Sequence, residues 1–362
     1  NGNNDVDTPY LDQLAREGMR FTHAYAEAQC SPARAAFISG QWPARTGMFA
    51  VAHEKPPLYA PFTPPDRLMV LSPEKATLAR SLRRAGYRSG LTGKWHTGGR
   101  DDLSREAFLD LCGFDFFGAA RGKSDDNDKA ITDITTDALE FIEDAAGSPF
   151  FLYISHFAPH TPLEAPTHLV DKYVKRGFTR STNIWCDPSE SPTADYYAML
   201  EHMDASVGQV LTKLDELELA GNTVVVFTSD NGGLERRADQ APLRAGKGAP
   251  YEGGLRVPLV ARWPGRIPAG AVSSEPVAII DYYPTFLELA GGVRPDLEHP
   301  LDGTSFVSLL TGISASLSRR DLFWHMPTYT AQYGRTPCAV IRSGSWKLIH
   351  YFGDFLENQS PY

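Results

Sequence analysis

The sequence predicts an α/β fold, a mostly parallel sheet flanked by helices, followed by the start of a small C-terminal antiparallel subdomain. Two observations carry that expectation. Up to about residue 318, short apolar runs alternate with helical patterns. A parallel strand covered by helices on both faces reads as such a continuous run. From about Arg319, strand-like segments follow one another with no helix between them. The expected division is 1–318 for an α/β domain and 319–362 for part of an antiparallel subdomain.

Four helix-then-strand units make up the first part. The first opens at Ser72-Pro73-Glu74, with Ser72 as N-cap and Pro73 at the first helical position. Its helix runs through Leu78 and Leu82 to Ala85, Gly86 stops it, and Tyr87 to Thr92 form a strand. The second unit is a helix from Ile131 to Ala146 and the apolar run Phe150 to Ile154. The third is a long helix from about Thr193 to Leu219, a Gly221-Asn222 turn and the strand Thr223 to Phe227. The fourth is a glycine-rich loop ending in Val257 to Ala261. A helix from Asp281 to Ala290 carries Tyr283, Phe286, Leu287 and Leu289 toward the sheet. Asp321 to His325, Ala339 to Arg342 and Trp346 to Ile349 are the strands of the C-terminal part.

Composition narrows the function classes. A formal net charge of -9 lacks the basic footprint of a nucleic-acid-binding protein, yet leaves room for a few cations in one cleft to bind a small anion. No apolar run approaches the roughly 20 residues of a membrane-spanning helix. Cys30, Cys112, Cys186 and Cys338 form no CxxC pair, which disfavours a zinc ribbon or a thioredoxin-like motif. The sequence opens on Asn1 with no initiator Met, signal peptide or opening strand, so it is expected to be cut, and compartment is not read from the lack of a leader.

Ligands of open parallel sheets bind beyond the carboxyl ends of the strands. After Thr92 comes Gly93-Lys94-Trp95-His96; after Ile154 comes Ser155-His156-Phe157-Ala158-Pro159-His160; after Thr228 comes Ser229-Asp230-Asn231-Gly232-Gly233. Gly246-Lys247-Gly248 and Glu252-Gly253-Gly254 precede the fourth strand. Each has a bland alternative, a solvated loop Lys or His, or a turn built from Asp, Asn and Gly. Their convergence on one sheet edge is what distinguishes them. His156 and His160 straddle Pro159, so they are not a zinc-protease pair on a helix. Ser72 and Lys75 read as a helix cap, and there is no G-x-S-x-G elbow.

The decisive segment is Cys30-Ser31-Pro32-Ala33-Arg34, running into Ala35-Ala36-Phe37-Ile38-Ser39-Gly40. A free buried cysteine is the alternative. Against it, Cys30 directly precedes a helix start, which favours an anion, and Arg34 lies one turn on.

Cys-x-Pro-x-Arg followed by a small-residue helix resembles the signature of the type I sulfatases, in which that cysteine becomes formylglycine. Thr8-Pro9-Tyr10-Leu11-Asp12 with Leu14-Ala15-Arg16-Glu17-Gly18, and each strand-end segment above, resemble further family motifs in the right order. The resemblance implies an alkaline-phosphatase-like fold. It implies calcium, or another divalent cation, on Asp230, Asn231 and the formylglycine at position 30. Arg34 would hold the formylglycine hydrate, and Lys94, His160 and Lys247 would bind sulfate oxygens. One hydroxyl of the hydrate would attack sulfur, His160 would protonate the leaving alcohol, and His96 would take the proton when the aldehyde re-forms. The implied partners are a small anionic sulfate ester, with a sulfated carbohydrate favoured over an aryl sulfate, and a formylglycine-generating enzyme. The implied location is periplasmic or secreted. Trp42, Trp185, Tyr196, Tyr197 and Trp324 are candidates for a sugar platform, with core packing as the alternative.

One departure stands out. Family members open with a strand ending in an Asp-Asp pair of metal ligands, and Asp5 and Asp7 do not match it. The chain as written is therefore expected to bind metal poorly and to be inactive or weakly active. Competing readings are a phosphonate or phosphate monoester hydrolase on the same scaffold, and a non-catalytic binding remnant.

Overall fold

The computed structural model describes residues 3–51, 62–98, 104–118, 128–183, 192–235, 237–292, 299–318, 321–329 and 336–352. Trp185 and Cys186 lie outside the described residues. In chain order the elements are α1 (Pro9–Glu17), β1 (Met19–Tyr25), α2 (Cys30–Ser39), α3 (Pro43–Thr46), α4 (Leu78–Arg84), β2 (Arg88–Gly93), α5 (Arg105–Cys112) and β3 (Phe116–Gly118). There follow α6 (Ile131–Ala145), β4 (Phe150–Ser155), α7 (Thr167–Lys175), α8 (Ala194–Glu216), β5 (Val225–Thr228), α9 (Glu252–Leu255), β6 (Arg256–Arg262), β7 (Ala271–Ser273) and β8 (Val277–Ala278). The chain closes with α10 (Tyr282–Leu289), α11 (Val307–Leu310), β9 (Leu322–Met326), β10 (Cys338–Ser343) and β11 (Trp346–Tyr351).

The strands form three groups. β2 lies between β3 and β4 and is parallel to both, with Leu91 opposite Phe117 and Tyr153. A mixed group runs β5-β6-β1-β7, with β8 also on β1. Within it β7 and β8 pair parallel to β1, whereas β6 is antiparallel to both β1 and β5. The third group, β11-β10-β9, is antiparallel throughout, as the run of helix-free strand patterns predicts.

Two sequence expectations need correction, and one strand escapes the sequence. The strand at 256–262 reads as parallel but is not: the connection from β5, residues 229–255, holds only the one-turn helix α9 and no crossover helix, and brings the chain back antiparallel. β1 is not legible as a strand. Thr22 and His23 interrupt its apolar alternation, and its register shifts between Phe21 and Ala24, so no period of two survives. The first unit's helix starts at Leu78, not at Ser72. Thr77 Oγ1 accepts the Arg80 N–H at 3.2 Å and donates to Cys112 O at 2.6 Å, whereas Ser72 Oγ takes only the Glu74 N–H in a turn. Two residues suited to capping compete, and the one buried against the end of α5 wins.

The other helices follow their patterns closely. α8 starts after Thr193, whose hydroxyl accepts the Tyr196 N–H at 3.4 Å. From inside α8, Asp204 accepts the N–H groups of Tyr10 and Leu11 at 3.1 and 2.8 Å. It thereby serves the start of α1, where Thr8 makes no side-chain cap. Burial raises the Asp204 carboxyl, and those two N–H bonds oppose the rise.

Two apolar clusters meet at α2. One joins β1, β6 and the C-terminal sheet, through Phe21, Tyr25, Leu322, Trp324 and Val340. The other joins α4, α5 and β2, through Leu78, Leu82, Leu91, Phe108 and Phe114. Trp324 is buried and its Nε1 donates to Ala26 O at 2.9 Å. Tyr197 packs against Tyr173 and Phe178. Trp42 meets Trp324 edge to face. These rings hold the core together.

The two caps separate cleanly by mutation. Thr77→Ala should lower stability by about 1–2 kcal/mol, through loss of a cap and of a buried hydroxyl bond. Ser72→Ala should change it by less than about 0.5 kcal/mol. Urea denaturation of both variants checks the assignment.

Candidate active site

Cys30 opens α2 and is buried. The connection before it is pinned by two main-chain bonds, Ala26 N–H to Leu255 O and Gly248 N–H to Ala28 O, both at 2.8 Å. Ala33, Ala35 and Ala36 are fully buried, so the helix sits close between the two apolar clusters without bulky side chains. The small residues that follow the cysteine are thus a packing requirement, and they fix where Cys30 sits.

Arg34 is the hub. Its Nε and Nη2 both reach Asp230 Oδ2 at 2.8 Å. Nη1 donates to Lys94 O at 2.9 Å, to Tyr153 OH at 3.2 Å and to Ser155 Oγ. Ser155 Oγ in turn donates to Lys94 O at 2.6 Å. One guanidinium therefore ties the ends of β2 and β4 to the loop after β5. Tyr153 and Ser155 were not singled out in the sequence. Ser155 opens the strand-end segment that reaches His160 but is given no role there, and Tyr153 reads as an apolar member of the strand.

The lysines approach from two sides. Lys247 is buried, its Nζ lies 3.9 Å from Cys30 Sγ, and its N–H is held by Gly233 O at 2.8 Å. The Lys94 N–H bonds Ser155 O at 2.8 Å, which places Lys94 at the C-terminal edge of β2. Burial lowers the Lys94 ammonium below its usual range, and Arg34 and Lys247 push the same way against Cys30 and Asp230. Asp230 shows the opposite balance. Burial would raise its carboxyl, but Arg34, Lys94 and Lys247 hold it below the usual range. It stays ionised.

Glycines make the loops fit. A Cβ on Gly232 would lie 1.8 Å from Gly253 O, and one on Gly253 would lie 1.9 Å from Ala245 O. The Gly232-Gly233 and Gly253-Gly254 pairs let the Asp230 loop and the Lys247 loop touch backbone to backbone, with the Gly232 N–H on Gly254 O at 3.0 Å.

Cys30, Arg34, Lys94, His160, Asp230, Asn231 and Lys247, all singled out in the sequence, line one cavity. His96 is not among its lining residues. It sits at the rim, exposed, with φ +60°. Partial burial, then the charges of Lys94, Arg34 and Lys247, push its pKa down to about 4. His160, also at the rim, is brought to about 4 by partial burial and Lys247. Its Nδ1 bonds Thr161 O at 2.6 Å and so carries the proton, which leaves Nε2 for other partners. His156 also lines the cavity, with Nε2 near Ser206 Oγ at 3.3 Å.

The oxygen donors suit a hard cation. Asn231 Nδ2 donates to Gly232 O at 2.8 Å, while its Oδ1 is buried with no hydrogen-bond partner, beside the ionised Asp230. An orphaned amide oxygen next to a carboxylate fits a divalent cation. Among the described residues, no group of three or more His, Cys, Asp and Glu could hold a metal.

Residues 1–293 match the family model described as Sulfatase. The chain belongs to the sulfatase family. It is a sulfuric ester hydrolase. Residues 246–359 also match the model for the C-terminal part of N-sulphoglucosamine sulphohydrolase. A sulfatase of Formosa agariphila is 30% identical, over 97% of this chain and 73% of that protein. The dog N-acetylgalactosamine-6-sulfatase is 31% identical, over 88% of this chain and 64% of that one. The crystal structure of Ps i-CgsB in complex with k-i-k-neocarrahexaose superimposes with a TM-score of 0.76 at 27% identity, covering 96% of this chain and 79% of that one. The fold is that of the alkaline-phosphatase-like sulfatases, as the motifs imply.

The histidines set a pH dependence. His96, His156 and His160 are all held at about 4, against about 6.5 in an unfolded chain. Between those values the unfolded sulfatase binds more protons than the folded one, so stability falls as pH drops from about 6.5 toward 4. Above about pH 7 these groups contribute no slope. Urea midpoints across this range should show the loss, and His156→Gln should make it shallower.

Proposed function

We propose that this chain removes sulfate from a carbohydrate sulfate ester, with position 30 acting as formylglycine. The observation that carries the reading is a buried Cys30 at a helix start, with Lys247 at 3.9 Å and Lys94 and Arg34 converging on it. A lone structural cysteine has no need of three cations, whereas a reactive group handling a sulfate ester does. The carbohydrate part is supported by kinship with the N-acetylgalactosamine-6-sulfatase and by the likeness to the neocarrahexaose complex.

In this reading Asp230 and Asn231 hold a divalent cation, calcium by preference for oxygen donors. Bound there, the cation supplies Lewis acidity, and formylglycine at position 30 supplies the hydroxyl nucleophile. Lys94 and Lys247 bind sulfate oxygens and neutralise charge that grows in the transition state. Arg34, fixed by Asp230, Tyr153 and Ser155, orients position 30. His160 presents Nε2 to the leaving alcohol. The bound anion raises its pKa from about 4, which couples proton donation to substrate binding. His96, at the rim, receives the proton released as sulfate departs. Export to the periplasm or beyond, and maturation by a formylglycine-generating enzyme, belong to the same reading.

Co-expression with a formylglycine-generating enzyme should give an aldehyde mass at position 30. An unmodified thiol there, with a control sulfatase converted in the same cells, would sink the proposal. Faster turnover of a phosphate ester than of the sulfate ester of the same alcohol would move the reaction class. Lys247→Ala should lower kcat/KM on the sulfate ester by about 10²-fold or more, with little change in melting temperature. Asp230→Ala should weaken calcium binding in a direct titration.

A further inference from the structure

His160 sits on the loop between β4 and α7, and the sequence there gives the loop few ways to hold itself. Pro159 and Pro162 flank the histidine and carry no N–H. Its own bonds are local, with its main-chain N–H on Phe157 O at 2.9 Å and Nδ1 on Thr161 O at 2.6 Å. Ala158, Leu163 and Ala165 pack in an apolar cluster with Ile131, the first residue of α6. A polar tie to the same loop comes from just ahead of that helix.

Lys129 and Ala130 both have positive φ, +60° and +58°. Two consecutive non-glycine residues in the left-handed region are uncommon, because Cβ crowds the backbone there. The turn has a use. It lets Asp128 serve the start of α6, its Oδ2 accepting the Thr132 N–H at 3.0 Å, while the Lys129 side chain runs to the His160 loop. Lys129 Nζ donates to Pro162 O at 2.8 Å and lies 3.6 Å from Glu164. The two side chains are only 10% and 13% exposed. Asp128 is buried, with His202 Nε2 at 3.4 Å, so the lysine leaves from a fixed base.

A buried ion pair can do no more than hold a loop. Two observations carry this one further. The first is covalent. The Thr161–Pro162 peptide is planar and the proline ring fixes φ, so only ψ of Pro162 separates the carbonyl that Lys129 holds from the one that takes the His160 Nδ1 proton. Fixing one restrains the other. The second is electrostatic. Partial burial is the main cause of the low His160 pKa; Lys247, Lys94 and Lys129 add to it, and the Thr161 carbonyl opposes them. Lys247 and Lys94 line the cavity, whereas Lys129 is not among its lining residues and so acts through the histidine.

We propose that Lys129 is a positioning residue for His160: by holding Pro162 O it keeps Thr161 O on the Nδ1 proton, and so keeps Nε2 aimed at the leaving alcohol. The inference rests on the reading of His160 as the acid. In the step it serves, the S–O bond breaks, the alcohol oxygen keeps the electron pair, and the imidazolium gives that oxygen its Nε2 proton. His160 is left neutral, with its proton on Nδ1.

Two arms test it, and the first uses neither substrate nor metal. In protein carrying isotope-labelled histidine, ring-nitrogen resonances read the tautomer and the titration of each imidazole. His160 should show a single Nδ1–H tautomer at neutral pH. Lys129→Met should give mixed tautomers and raise its titration midpoint by about half a pH unit or more, since a nearby positive charge is gone. Lys129→Arg should restore both, and His156, set by burial and His202, should be the same in every variant. In the second arm, the matured, calcium-loaded enzyme is given nitrophenyl sulfate and nitrobenzyl sulfate. Nitrophenolate leaves without a proton and the benzylic alkoxide does not. Lys129→Met should lower kcat on nitrobenzyl sulfate about tenfold or more, and on nitrophenyl sulfate by less than about threefold. Unchanged His160 resonances in Lys129→Met, or equal slowing of both esters by it, would overturn the positioning role. Equal slowing of both esters by His160→Ala would overturn the acid reading beneath it. Should Lys129→Met not fold, Glu164→Gln frees the ammonium on one side, and an undisturbed His160 tautomer in that variant would overturn the role.

Discussion

Arg34 is the contact on which the site depends. One buried guanidinium bonds a carboxylate from the β5 side, a main-chain carbonyl from the β2 side, and two hydroxyls from β4. It spans the gap between two sheet groups that, among the described residues, share no strand pairing. Burying a charge is costly unless it is paired and its donors are used, and here the donors converge on groups from three strand ends. The cost of burial becomes positional accuracy. If Arg34 moves, Asp230, Lys94 and Ser155 lose their common reference.

The loops around this hub rest on backbone contact rather than side-chain packing. Gly232 lies against Gly253, and Gly253 against Ala245, at distances no Cβ permits. Asp230 and Lys247 come from loops separated in sequence, yet their relative placement is set by main chain pressed on main chain. Opposite charges held so close also settle each other's ionisation. Asp230 stays negative, while Lys94 is driven low by burial and by its cationic neighbours.

Much of this was legible in the sequence, for a physical reason. The residues with chemistry follow strands, and a parallel strand announces itself as an apolar run. Lys94, His160, Asp230 and Asn231 could therefore be assigned to one edge of the sheet before any coordinates, and Cys30 with Arg34 through helix spacing. What was hidden depends on partners distant in sequence. β1 carries polar residues because β6 and a bulge fix it, not its own alternation. Thr77 outcompetes Ser72 only because α5 ends beside it. Tyr153 reads as an apolar member of a strand until Arg34 uses its hydroxyl. The direction of β6 follows from a loop whose path no local pattern encodes.

The C-terminal sheet has a place in this arrangement that its position in the chain conceals. Trp324 donates to Ala26 O, four residues before Cys30, and Val340 and Leu322 complete the apolar cluster that β1 begins. Lys347 reaches Glu252, in the short helix that follows the Lys247 loop, and lies over the rings of Tyr25 and Trp324. A sheet formed from residues beyond 320 is thus the back wall of a segment before residue 40. A substitution in that wall, Trp324→Ala for one, would therefore loosen the connection that leads into Cys30 while lying outside the cavity itself.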